Sequence, residues 1–264
     1  MLKSIHIKNL WGGESVINWE NIDPKVNILV GINGSGKSTL LNLIEEEALH
    51  KNTLAKKVKA QVDIQFTTKI QAHNVVRINT FDVKSKVYKS NLDVHLEHLT
   101  FKKETANSLT FLDYRLNMLD KSTSDIERYK ARIDDFFKLI NQFFIKTNKK
   151  VIFDRTNNAV KFEIGETQTI ELTDLSAGEK QLLILLFTIF LQDEQPCIVL
   201  MDEPEISLHI EWQGILIETL TVLNPNAQFI IVTHASSVFG KGWSDKLTWM
   251  EDIFYNPNDR NLFF

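Results

Sequence analysis

The chain has 264 residues, 43% of them hydrophobic and 24% charged, with a net charge of −4 at neutral pH. That length accommodates one large α/β domain or two modest ones around a sizeable core, and the composition is ordinary for a soluble globular protein. The mild negative charge excludes a general attraction to nucleic acid and leaves only a local basic face for such a role. Cys197 is the single cysteine, which excludes an internal disulfide and fits a reducing cytosol. It stands in an apolar stretch, as a small buried hydrophobe rather than a nucleophile. The N-terminal MLKSIHIKNL has no continuous apolar run of the signal-peptide kind. The longest oily run, Leu182 to Leu191, is too short to span a bilayer and reads as a buried helix. A cytoplasmic protein is expected, with membrane contact only through a partner.

In chain order, Leu2 to Leu10 alternates like a strand with one buried face, and Gly12-Gly13 turns it. Ser15 to Trp19 returns as a second strand, and Asp23-Pro24 breaks before an apolar strand from Val26. Trp11 and Trp19 are both candidates to stack on a nucleobase or to pack the hairpin. Ser38 to Leu49 has the apolar spacing of a helix, ended by the basic run Lys51 to Lys59. Two strands follow, Val58 to Thr67 and Asn74 to Thr80.

From Asp82 to about Lys150 glycine and proline are absent and apolar residues recur at helical spacing, so an inserted helical subdomain is predicted over 82–150. It divides the rest of the chain, read as one α/β lobe, into 1–81 and 151–264. Within it, Phe136-Phe137 and Phe143-Phe144 read as core before partner groove. Strands are expected at Val151 to Asp154, Val160 to Ile164 and Thr169 to Leu172. The oily helix, the fully apolar strand Ile198 to Met201, the helix Ile210 to Leu223 and the strand Phe229 to Thr233 complete the α/β pattern. The tail from Trp249 holds a turn signal at 256–259.

The chemistry begins between the strand from Val26 and the helix from Ser38. Gly31-Ile-Asn33-Gly34-Ser35-Gly36-Lys37-Ser38-Thr39 fits G-x-x-x-x-G-K-[ST], with a strand before it and a helix after it. Glycines let the backbone wrap a phosphate chain with N–H groups and a helix N-terminus facing the anion. Lys37 adds a charge at the β/γ-phosphates and Ser38 a hydroxyl for Mg²⁺. ATP and Mg²⁺ are the expected ligands. Asp202 and Glu203 end a central strand, where open α/β sheets bind ligands. Asp202 is placed to hold Mg²⁺ through water and Glu203 to polarise the water that attacks the γ-phosphate. His234 ends the neighbouring apolar strand and is delivered to the same edge, as a γ-phosphate contact.

Leu175-Ser176-Ala-Gly178-Glu179-Lys-Gln181 heads a helix, which makes an anion site, with Glu179 placed for a capping box on Ser176. The run resembles the ABC ATPase signature, and the motifs follow the ABC order of phosphate loop, helical insertion, signature, Asp-Glu strand and switch histidine. The resemblance implies an α/β P-loop NTPase, an ABC ATPase head with a mixed sheet. It further implies that Ser176, Gly178 and Glu179 serve the γ-phosphate held by a second copy, two ATPs being sandwiched in a head-to-tail homodimer that can build higher oligomers. Asn33 to Thr39, the run Asp202-Glu-Pro-Glu-Ile-Ser-Leu-His209 and Asn79 to Asp82 look closest to the non-transport branch of RecF-type, chromosome-maintenance and overcoming-lysogenisation-defect ATPases. Within it they resemble the ATPase partners of Septu, retron and PARIS anti-phage modules, which implies a separately encoded effector. Two positions depart from the ABC pattern: Asn79 or Thr80 stands where the Q-loop glutamine is expected, and His209 near the D-loop aspartate. No long coiled coil or nuclease-like domain is present in the sequence. Competing readings are a DNA-end-sensing ATPase of RecF type using Lys51, Lys56, Lys57, Lys59, Lys146, Lys149 and Lys150, a transporter's nucleotide-binding subunit, and a nucleotide-gated scaffold.

Overall fold

The computed structural model describes residues 1–67, 74–78, 91–103, 109–118, 121–165, 168–234 and 242–255. The 79–82 run and the turn signal at 256–259 lie outside them. By its internal contacts the chain divides into two compact units, one made of Met1–Thr80, Glu194–Glu205 and Pro225–Phe264, the other of Phe81–Asp193 and Ile206–Asn224.

In the first unit, β1 (Leu2–Lys8) pairs antiparallel with β2 (Val16–Trp19) and, on its other edge, with β4 (Gln61–Phe66). The inward residues Ile5, Ile7 and Ile17 are fully buried, the period-2 pattern of a sheet with one covered face. A five-stranded parallel sheet stands beside it in the order β11 (Leu247–Trp249), β3 (Val26–Val30), β10 (Ala227–Thr233), β9 (Cys197–Asp202), β5 (Val75–Ile78). Parallel and antiparallel pairing both occur, in separate sheets. The central strands β3, β9 and β10 are buried at nearly every position, which is why their sequences show no alternation.

Helix α1 (Lys37–Ala48) packs on β9 and β10 through Leu40, Leu41, Leu43 and Ile44, all essentially inaccessible. Each such side chain contributes roughly 1.5–3 kcal/mol by leaving water. The Gln228 side chain, wholly buried, accepts from the Leu2 N–H and donates to the Leu2 and Asp23 carbonyls, tying β10 to the antiparallel sheet. The basic run does more than end α1: it forms a short helix α2 (Thr53–Lys57), whose Leu54 N–H is taken by the Glu46 carboxylate. As a result β4 begins at Gln61, later than the predicted Val58. Past β11, a short α8 (Met250–Ile253) leads into β12 (Phe254–Tyr255) on the free edge of β2.

The second unit holds α3 (Asn91–Thr100), α4 (Phe111–Asn117), α5 (Thr123–Phe144), a three-stranded antiparallel sheet of β6 (Lys149–Asp154), β7 (Ala159–Ile164) and β8 (Gln168–Glu171), then α6 (Ala177–Phe190) and α7 (Ile210–Leu223). The predicted insertion at 82–150 falls inside this unit, which also takes in the signature helix. Ser122 caps α5 by accepting from the Asp125 N–H, so the helix starts at Thr123, well before Ile133, the first residue of its buried stripe. That stripe, Ile133, Phe136, Ile140, Phe143 and Phe144, is buried. Phe136 stacks on Phe190 at 4.1 Å between ring centroids, and Phe111 meets Phe187 edge-on at 5.4 Å. The paired phenylalanines therefore serve the core. Helix α6 packs against α3, α5 and α7 and is apolar all round for that reason.

Candidate nucleotide site

Strand register assembles the phosphate side of the site within the first unit. Val30, the last residue of β3, is level with Thr233 on β10, and Val232 is level with Asp202 on β9. Gly31, Asp202, Glu203 and His234 therefore leave the same edge of one parallel sheet, the edge at which such sheets bind ligands. The Gly31 N–H donates to the Thr233 carbonyl and the Glu203 N–H to the Val232 carbonyl, locking the three strand ends together.

The loop that follows is shaped for an anion. Gly34 and Gly36 take φ of +82° and +97°, conformations open to glycine at no steric cost. Lys37 is 5% exposed and its ammonium donates to the Gly31 and Ile32 carbonyls at 2.7 and 2.9 Å. Burial pulls its pKa below the ordinary lysine value, and Glu203, Asp202 and Glu205 act the other way. The Ser35 hydroxyl is buried and has no hydrogen-bond partner among the described residues. A backbone nest, an inward lysine and an orphaned hydroxyl fit a phosphate group. No cluster of three metal-ligating side chains forms among the described residues. Mg²⁺ leans on substrate phosphates and one or two protein groups, the role expected of Ser38 and Asp202.

His234 Nδ1 lies 3.1 Å from Glu203 Oε1. Glu203 itself holds φ of +46°, uncommon for a residue with a side chain and of the kind that collects at functional sites. Asp202 is held by Arg77 on β5, Nη2 to Oδ2 3.3 Å. Glu205, 4% exposed, accepts a hydrogen bond from the Thr233 hydroxyl, and desolvation raises its pKa above the usual carboxylate value.

A raised folded-state pKa gives stability that is present below the unfolded value and lost as pH climbs through the folded one. Glu205→Gln, which cannot ionise, should therefore gain on the parent protein as pH rises. Thermal midpoints compared at about pH 5 and about pH 8 check this; a variant midpoint that does not rise relative to the parent's between the two refutes it. Neither Arg77 nor Glu205 stands out in the sequence. The only signal for Glu205 is its place in the Asp-Glu-Pro-Glu run, and Arg77 has none.

Of the two candidate base-stacking tryptophans, Trp19 is excluded: at 3% exposure it lies in the core. Trp11 is 52% exposed on a turn after β1, packed against Phe254, and a Cβ placed on Gly36 would come within 2.9 Å of its ring. It opens onto a cavity of about 420 Å³ lined by Thr39, Asn42, Leu54, Lys57 and Lys59 among others. Trp11 thus stands between the phosphate loop and this cavity.

The signature lies in the second unit. Ser176 caps α6: its hydroxyl accepts from the Glu179 N–H and Glu179 Oε2 accepts from the Ser176 N–H. Glu179 Oε1 is paired with Lys149 at 2.6 Å, and the pairing lowers the carboxyl's pKa against the desolvation that raises it. Glu179 is thus engaged inside the chain, while Ser176 is exposed at the helix head. Gly178 is required sterically, since a Cβ there would sit 2.3 Å from the Ser207 carbonyl oxygen. Gly178→Ala should cost about 1–3 kcal/mol, read as a lower thermal midpoint; an unchanged midpoint would show that the 207 segment yields freely. His209 caps α7, its Nδ1 accepting from the Glu211 N–H.

Comparison with known proteins bears on the fold. Residues 118–239, just under half of the chain, match the family profile described as "AAA domain, putative AbiEii toxin, Type IV TA system". The "Retron Vc95 probable ATPase" of Vibrio cholerae serotype O1 biovar El Tor is 24% identical over 189 residues, covering 67% of this chain and 36% of that protein. The chain thus spans about a third of the length of this relative. Among solved structures, the SMC head domain from Thermotoga maritima superimposes with a TM-score of 0.51 at 14% identity, over 90% of each chain. A "putative ABC transporter (ATP-binding protein)" from Pyrococcus furiosus does so with a TM-score of 0.50 at 13% identity, over 95% of this chain and 99% of that one. Fold and site together define the class: the chain has the α/β P-loop fold shared with these SMC and ABC ATP-binding heads. Within that class, its segment 118–239 is similar to the AbiEii-type AAA domain.

Proposed function

We propose that the chain hydrolyses ATP as a head-to-tail sandwich dimer and that its nucleotide state governs a separately encoded effector in anti-phage defence. The observation that carries the catalytic part is the Glu203–His234 pair, set at the sheet edge beside the buried Lys37. Lys37 and the loop N–H groups bind and orient the phosphates. Ser38 and Asp202 would hold Mg²⁺, which when bound supplies charge neutralisation at the phosphate oxygens. Glu203 takes the proton of the attacking water, and His234 orients that carboxylate and faces the γ-phosphate. Ser176 and Gly178 are assigned to the γ-phosphate held by the partner copy. Trp11 stacks on the base. Catalysis of this kind is positioning and charge stabilisation.

Likeness to the retron ATPase and to the AbiEii-type domain supports the defence setting. The DNA-end-sensing alternative draws little support from its basic residues. Lys57 and Lys59 line the base-side cavity, Lys146 pairs with Glu211, and Lys149 pairs with Glu179. No helix of the described residues is long and apolar enough to cross a membrane. The test is native purification of tagged Glu203→Gln with ATP and Mg²⁺, weighing the complex and identifying what co-elutes. A small protein that is lost with Lys37→Ala supports an effector. Nucleic acid in its place favours the repair reading, and a membrane permease the transporter reading.

A further inference from the structure

The ATP site contains a cation that the mechanism above does not use. Arg77 stands on β5, level with Leu200 of β9, and its guanidinium reaches forward to the Asp202 carboxylate at the strand's end. The side chains are 11% and 18% exposed, so solvent screens the pair weakly. Arginine keeps its charge at every working pH. Glu45 on α1 adds to the negative potential around it. A divalent cation arriving at Asp202 meets a carboxylate already partnered by a fixed positive charge. β5 is also the last described strand before the second unit begins at Phe81.

We propose that Arg77 is a positioning residue that holds Asp202 and, by its charge, sets the divalent-cation affinity of the ATP site at a low value. The inference rests on the proposed ATP and Mg²⁺ site. It places control of cation capture on the strand that leads into the second unit, where the glutamine of the ABC pattern is missing.

The test uses Glu203→Gln protein, so that turnover does not intrude, and follows capture of a fluorescent ATP as Mg²⁺ and then Mn²⁺ is titrated. Arg77→Met should move the cation midpoint about tenfold lower, because removing a buried like charge favours the metal. Arg77→Gln, which keeps a hydrogen-bond donor to Asp202, should move it the same way. Arg77→Lys, which keeps the charge, should stay within about threefold of the parent. A residue needed only for packing gives no downward shift. A midpoint unchanged or raised in the folded uncharged variants overturns the proposal. So does failure of both uncharged variants to fold while Arg77→Lys is stable, which would assign the residue to folding alone. A parent protein that captures no ATP at any cation concentration refutes the ATP site itself, an outcome distinct from an unshifted midpoint.

Discussion

Lys37→Ala should abolish nucleotide binding. The ammonium lies inside the loop on the Gly31 and Ile32 carbonyls, so the side chain both supplies charge and fastens the loop's shape. Truncating one partner of a buried, hydrogen-bonded charge contact costs about 2–5 kcal/mol, or roughly 30-fold to several thousand-fold in affinity. Here the loss of loop shape adds to it. Deleting the charge also leaves Asp202, Glu203 and Glu205, the three carboxylates that act on Lys37, without that cation. Fluorescent-ATP titration reads the effect directly. Retention of ATP within about threefold of the parent would remove Lys37 from the phosphate site.

Glu203→Gln should have the opposite phenotype: ATP bound, turnover lost, dimer retained. Glutamine matches glutamate in shape and sits in the same left-handed backbone position at φ of +46°, so the strand end is not further strained. What disappears is the carboxylate that faces His234 Nδ1 at 3.1 Å, the group proposed to take the water's proton. General-base catalysis of this kind contributes about 10²–10⁴-fold, which is the expected fall in phosphate release. Light scattering with ATP and Mg²⁺ should show a dimer that persists, and Lys37→Ala introduced on top should return it to monomer. Equal loss of ATP binding in the Lys37 and Glu203 variants would sink the assignment of roles, because it would make Glu203 a binding group.

The two variants probe residues that lie far apart in the chain, and the sequence alone makes both legible. A phosphate loop is a local device: its glycines, lysine and serine act within a single turn, so the spacing from Gly31 to Ser38 carries the whole message. Asp202, Glu203 and His234 are legible for a related reason. Each stands at the end of a largely apolar, buried strand, and the carboxyl ends of such strands share one edge. The oily helix α6 and the buried face of α5 follow from residue spacing alone. The start of α5 does not, because the Ser122 cap, well upstream of the buried stripe that opens at Ile133, decides it.

Pairs that meet through strand order are not legible. Arg77 and Asp202 are neighbours because β5 lies next to β9, and Thr233 reaches Glu205 because β10 lies on the other side. No local pattern encodes either contact. The same limit applies to Trp11 and Trp19, equal candidates by composition. The fold buries Trp19 in the core and leaves Trp11 open at the phosphate loop beside Phe254, a residue more than 200 positions away. The need for glycine at position 178 likewise comes from the Ser207 carbonyl, which a side chain would strike. Short-range spacing is enough to identify an anion cradle and its acidic strand end. Which charges face each other across that edge, and which aromatic ring is free to meet a base, depends on how distant strands come to lie side by side.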